Sequence, residues 1–154
     1  MSQRIATFDE FWVYYLGEHR HPWTRRLHCV GTGFGLTCHL ILVPVTRDLW
    51  WIPLAYLVGY FFAWASHFRI ERNRPATFKY PYWSFFSDLE MFQLMLVGWL
   101  PAELEALFAN PVRRSTVPRQ LWRVLVQACV FGYMGLVAVL WHLGVVGFGG
   151  VIHH

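Results

Sequence analysis

The sequence predicts an all-α integral membrane protein: a transmembrane helical hairpin, one or two further membrane helices and an N-terminal amphipathic helix. Three observations carry this expectation. The 154 residues are 56% hydrophobic and only 14% charged, whereas a soluble domain is typically about 25% charged. Nine Trp and seven Tyr fit the aromatic belts found at membrane–water interfaces. Four apolar runs stand out, at about 29–46, 49–66, 84–101 and 121–141. A run of ~18 residues makes roughly 27 Å of helix, near the minimum for a bilayer core.

The elements follow in order. Residues 5–18 place Ile5, Phe8, Phe11, Trp12, Tyr15 and Leu16 at helical spacing around Asp9 and Glu10. This pattern predicts an amphipathic helix lying on the interface. It lacks the clean apolar stretch of a cleavable signal peptide. A His-rich polar bend, EHRHPWTRRLH, precedes the first run. The short break RDL, bracketed by Pro44 and Pro53, separates the first two runs and predicts the turn of a hairpin. A polar loop at 67–82 leads to the third segment, where Ser84 or Ser87 is expected to cap and Asp88 and Glu90 to favour a helix N-terminus. Residues 102–120 read as polar, 121–141 as a good span, and the Gly-rich end at 149–154 as a loose tail. The whole chain, 1–154, reads as one membrane domain.

Charge sets the expected orientation and partners. The net charge of +4 sits in the loops, which suits anionic lipid head groups. No basic stripe stands apart from the apolar runs, so nucleic acid is not an expected partner. Arg20, Arg25 and Arg26 precede the first run, and Arg69, Arg72, Arg74 and Lys79 follow the second. The positive-inside rule places both groups on the cytoplasmic side of a bacterial inner or reticulum-type membrane. Arg113, Arg114 and Arg119 follow the third segment and favour the same side, so that segment is either re-entrant or interfacial, or a full span that breaks the rule. Cys29, Cys38 and Cys129 lie in apolar stretches without a CxxC pair and predict no disulfide framework.

A hairpin returns the chain to the side it left. The bend carrying His19, His21 and His28 and the loop carrying His67 and Glu71 are therefore expected on one face. His67 and Glu71 are spaced i, i+4, which turns both toward one site on an α-helix. Neutral imidazoles with a carboxylate are usual ligands of a first-row metal, and three of them leave positions open for chemistry. Asp88 is a candidate ligand, or an acceptor for a ligand's ring N–H. Arg72, Arg74 and Lys79 are candidates for holding a carboxylate or lipid head group. Each residue also has an ordinary reading. The first bend reads equally as a solvated polar turn, and His67 and Glu71 as partners of nearby Arg. His39 and His142 read as helix histidines bonded to a neighbouring backbone, ahead of a haem clamp.

Two blocks, YYLGEHRHPWTRRLHCVGT and SHFRIERNRPATF, carry a resemblance. Over about residues 8–100 the chain resembles the small membrane proteins related to the fungal endoplasmic-reticulum 2-hydroxy fatty acid dioxygenase. That family shows an aromatic-Tyr start, then His, Pro, Asn and His before an apolar span, and later His-x-x-x-Glu with basic residues and Pro-Ala. His19, His28, His67 and Glu71 match its recurring polar positions, and Thr24 stands where the family usually has Asn. The resemblance implies an Fe(II)-dependent dioxygenase using O2 to shorten a 2-hydroxy fatty acid by one carbon. It implies metal ligands among His19, His28, His67 and Glu71. Glu71 and Asp88, the latter from its place at the start of the third segment, are the catalytic candidates. The resemblance also implies a membrane-held acyl chain with its polar head at the interface. Two other readings are a non-enzymatic membrane scaffold or lipid-binding protein, and a di-iron hydroxylase, which needs about twice as many clustered His.

Overall fold

The computed structural model describes residues 5–109 and 119–148. Arg113, Arg114 and the tail at 149–154 lie outside the described residues. Helices account for most of the described chain, and no strand occurs among the described residues. In order they are α1 (Phe8–Glu18), α2 (Pro22–Thr37), α3 (Val43–Thr46), α4 (Trp51–Ser66), α5 (Pro81–Leu96), α6 (Leu100–Leu104) and α7 (Arg119–His142). π-helical segments at Cys38–Leu42, His67–Glu71 and Glu105–Ala109 extend α2, α4 and α6. By length and composition, Pro22–Thr46 and Arg123–His142 can each cross a membrane. The pair Pro81–Leu96 and Leu100–Ala109 makes a third crossing if it is one span, but it is bent by 120°. Gly98 at this break has φ +73°, a left-handed conformation that glycine adopts without a Cβ penalty. The sharp bend fits a broken span and a re-entrant loop alike. α4 has 16 residues, roughly 24 Å, and is not among the helices long and apolar enough by themselves.

The chain divides into two compact units, Met1–Cys29 with Ala63–Pro118, and Val30–Phe62 with Arg119–His154. The first unit is built on α1. Thr7 and Glu10 form a capping box: the Glu10 N–H donates to Thr7 Oγ1, and the Thr7 N–H to Glu10 Oε2, which satisfies donors that a helix start leaves open. The apolar face of α1 does not lie on the interface as its pattern predicted. Phe11, Trp12, Tyr15 and Leu16 are fully buried in a core with Ala76, Tyr80, Met91, Leu94 and Leu100. Aromatic side chains bury large areas, and here they do so against residues of α5 and α6. Tyr80 and Trp83 stack at 5.5 Å, and the Trp12 Nε1–H donates to buried Glu103 at 3.0 Å. α5 starts at Pro81, whose fixed φ suits a first helical position, so Ser84 and Ser87 are buried within the helix rather than capping it. Residues 100–109 are helical rather than an open polar stretch.

The second unit holds the hairpin. A Cβ on Gly31 would lie 3.1 Å from the Gly59 carbonyl oxygen and 3.2 Å from its Cα, so the two helices touch backbone to backbone where only glycine fits. Val43, Leu49 and Val146 form a small core with Trp51, Ile52, Val137 and Leu140 packed on it. Arg47 turns the chain after α3 with φ 58°, and the Leu49 N–H donates to the Gly147 carbonyl at 2.8 Å. His39 Nδ1–H donates to the Gly35 carbonyl one turn earlier at 2.8 Å, the ordinary bond expected of a helix histidine. The apolar span in α7 buries none of its residues, and Phe131, Met134, Leu136, Val139 and Trp141 are exposed. An apolar surface of that extent calls for a cover of lipid or protein. All three cysteines are free.

Candidate metal centre

The local sequence explains how three histidines come together. α1 ends at His19, whose backbone N–H bonds the Leu16 carbonyl. Arg25 then ties the bend down: its guanidinium donates to the His19 carbonyl at 2.8 Å and the Arg20 carbonyl at 2.7 Å. α2 starts at Pro22 and brings His28 round to the same place. His67 opens the π-helical segment after α4, and Arg72 ends that segment with φ 57°. The widened turn followed by a left-handed residue folds Asn73 back under His67, and the Asn73 N–H bonds the His67 carbonyl at 3.2 Å. π segments of this kind are frequent at functional sites.

The result is three buried imidazoles packed edge to face. Ring centroids are 4.4 Å apart for His19–His28, 4.6 Å for His19–His67 and 5.2 Å for His28–His67, with interplanar angles of 85°, 78° and 90°. One nitrogen from each lies within 4.8 Å of the others.

The hydrogen bonds identify those nitrogens. His19 Nδ1 is 2.6 Å from the Tyr15 carbonyl, which can only accept, so Nδ1 carries the proton. Asn73 Nδ2 donates to the Glu18 carbonyl at 3.0 Å and the Glu18 carboxylate at 2.6 Å. That fixes the amide, so Asn73 Oδ1 accepts from His67 Nδ1–H at 2.8 Å. His28 Nδ1–H donates to Asp88 Oδ1 at 2.6 Å, and the Tyr15 hydroxyl donates to the same oxygen. Each ring therefore spends its Nδ1 proton outward and turns an Nε2 lone pair inward. His19 and His67 Nε2 face each other at 3.1 Å, and His28 Nε2 is buried with no partner. Converging lone pairs repel one another unless a cation sits between them. Outward acceptors on ligand rings are the usual surroundings of a bound metal. The residues present thus fit a metal held by three imidazole nitrogens.

Electrostatics keep the His19 and His67 rings in the ligand form. Burial first, then the neighbouring His28 and His67, holds the His19 pKa well below its ordinary 6.5. Burial also lowers that of His67, partly offset by its bond to Asn73. Burial, with Asp88 beside it, raises the Tyr15 hydroxyl well above 10.0, so it stays a donor. A pH dependence follows. Below the ordinary imidazole value of 6.5 the unfolded chain takes up protons that the folded site refuses. Unfolding then binds protons, so metal-free protein loses stability progressively as pH falls below 6.5 and gains nothing further above about pH 7.5. Melting temperatures across that range check this; a flat profile between pH 5 and 7 contradicts it.

Of the residues singled out from the sequence, His19, His28 and His67 meet, and Asp88 joins them as the acceptor of His28. Glu71 does not join them. Its Oε1 accepts from the His21 backbone N–H at 2.7 Å, because the i, i+4 argument assumed an α-helix and the chain here is π-helical. His21 is exposed, and its Nδ1 accepts from the Trp23 N–H at 3.2 Å. Arg72, Arg74 and Lys79 are exposed; Arg74 lies over the Phe78 ring and Lys79 over Tyr80, each at 5.3 Å. Sequence reasoning missed Tyr15, Glu18 and Asn73. Asn73 follows His67 by six residues, which no regular period brings together.

A family model described as 2-hydroxy-palmitic acid dioxygenase Mpo1-like matches residues 5–100, the segment that supplies all three histidines, Asp88 and Asn73. No curated protein and no solved structure matches the chain. The match spans well over half of the sequence and includes the whole of the candidate site, and by it the chain belongs to the Mpo1-like family.

Proposed function

We propose that the protein is an Fe(II)-dependent dioxygenase of the membrane that shortens 2-hydroxy fatty acids by one carbon. The observation that carries this reading is the convergence of three buried Nε2 lone pairs, each ring held by an outer acceptor. The family description supplies the substrate class. The metal ligands are His19, His28 and His67. Three ligands leave coordination positions open, and ferrous iron there supplies O2 activation and polarisation of a hydroxy acid's oxygens.

The chain's own residues do the rest. Tyr15, Asn73 and Asp88 fix the three tautomers, so the site is arranged before any ligand arrives. Asp88 draws on the His28 Nδ1 proton and makes that ring a better donor. Neutral rings suit a site whose substrate is itself an anion, because the charge of the metal is left to meet the carboxylate. Glu71 acts outside the ligand set, holding the turn at His21. The exposed Arg72, Arg74 and Lys79 fit anionic lipid head groups. The long apolar helices and the exposed apolar face of α7 support a membrane location, with the basic loops cytoplasmic.

The test is oxygen uptake by detergent-purified, anaerobically iron-loaded protein given 2-hydroxypalmitate, with palmitate as control. Uptake with the hydroxy acid alone, and a one-carbon-shorter product, is expected. Bound iron without uptake would reject the substrate; absence of both would favour a non-enzymatic scaffold.

A further inference from the structure

Helical hydroxyls in this protein behave in two ways. Thr37, Thr46 and Ser66 return their hydroxyls to carbonyls of their own helix, at 2.9, 2.7 and 2.7 Å. This is the ordinary way for Ser and Thr within helices to satisfy themselves. Thr24, Ser84 and Ser87 do not. All three are buried, at 0–2% exposure, and none of their hydroxyls has a hydrogen-bond partner. With His28 Nε2 they make up the unpartnered buried side-chain polar atoms among the described residues. An unmade hydrogen bond at a buried hydroxyl is costly, so such atoms mark where something polar belongs.

Their positions say where that place is. Thr24 lies one turn before His28 on α2, on the same helix face. Ser84 lies one turn before Asp88 on α5, and Ser87 one turn after Ser84. The two faces meet where His28 bonds Asp88 at 2.6 Å. The other polar groups around the trio are already engaged: the Tyr15 hydroxyl with Asp88, the Tyr15 carbonyl with His19, and Asn73 with His67 and Glu18. The hydroxyls of Thr24, Ser84 and Ser87, within about a turn of His28 and Asp88 along their helices, are thus the unengaged donors. A ligand that reaches both a metal and hydroxyl donors must present several oxygens close together. A carboxylate carrying an adjacent hydroxyl does so, and it accepts charge-assisted hydrogen bonds.

We propose that Thr24, Ser84 and Ser87 form the polar half of the substrate site and bind the carboxylate and 2-hydroxyl oxygens of the acid beside the three histidines. This rests on the metal-dependent reading above. It assigns head-group recognition to buried neutral hydroxyls rather than to exposed Arg72, Arg74 and Lys79. It also gives Thr24 a role that an amide at that position would fill with a different reach.

The test measures binding apart from turnover. Iron-loaded wild-type protein and the variants Thr24→Val, Ser84→Ala and Ser87→Ala are titrated anaerobically with 2-hydroxypalmitate by calorimetry, and iron content is measured in parallel. Each variant is expected to keep its iron and to lose acid affinity by about tenfold or more, while Thr24→Ser retains most of it. The ligand-free variants are expected to melt at or above the wild-type temperature, because an unpartnered hydroxyl is removed; a structural role would lower it. Unchanged acid affinity in all three variants overturns the proposal while leaving the metal site intact. So does a wild-type protein that loads iron but binds no acid. A wild-type protein that takes up no iron defeats the metal-dependent reading itself, and this proposal with it.

Discussion

His28→Ala is expected to abolish turnover and to weaken iron binding by more than the about 10–100-fold that an outer hydrogen-bond partner is worth. The reason is geometric. His28 contributes a buried, unpartnered Nε2, and its removal leaves two imidazoles facing each other at 3.1 Å with no third donor. His67→Ala should behave alike. His21→Ala is the control, since His21 is exposed and its Nδ1 is already engaged by the Trp23 backbone. Iron per chain after anaerobic loading and gel filtration checks this. Retained iron and turnover in His28→Ala would remove the site assignment, and loss of iron in His21→Ala would place the ligand set elsewhere.

The second large effect is expected at Asp88. Asp88→Ala removes the acceptor of the His28 Nδ1 proton and of the Tyr15 hydroxyl together. The His28 ring loses its fixed orientation, and iron affinity is expected to fall about 10–100-fold. The buried Tyr15 hydroxyl loses its partner, which costs about 1–3 kcal/mol of stability. Tyr15→Phe separates the two consequences. It leaves the His28–Asp88 bond, and also the Tyr15 carbonyl that holds His19, so most of the iron affinity should remain. Iron titration with an optical chelator, alongside thermal melting, reads both. Equal affinity in Asp88→Ala and wild type would show that His28 is oriented by something other than Asp88.

The three clustered histidines are legible in the sequence because His28 and His67 lie where a hairpin begins and ends, His19 sits in the bend just before it, and the family resemblance marks all three. Glu71 illustrates the limit of periodicity: four residues after His67 means one face only while the helix keeps 3.6 residues per turn, and the π segment His67–Glu71 does not. Asn73 was invisible for the same reason, since its place depends on the left-handed Arg72. The apolar stripe of α1 was plain, but its partner was not. A stripe of Phe, Trp and Tyr suits a lipid boundary or a protein core equally, and only the tertiary arrangement of α5 and α6 decides for the core. Ser84 and Ser87 looked like caps because Ser favours that position; Pro81 starts the helix earlier and converts them into buried hydroxyls.

Three imidazole Nε2 atoms are proposed to hold one metal ion. X-ray absorption at the iron edge of the anaerobically loaded protein, with metal analysis of the same sample, tests it most directly. One iron per chain is expected, bound by three histidine nitrogens at about 2.0–2.2 Å with light-atom ligands completing the shell. Two irons with a metal–metal vector, or iron that washes off and shows no imidazole scattering, would contradict it.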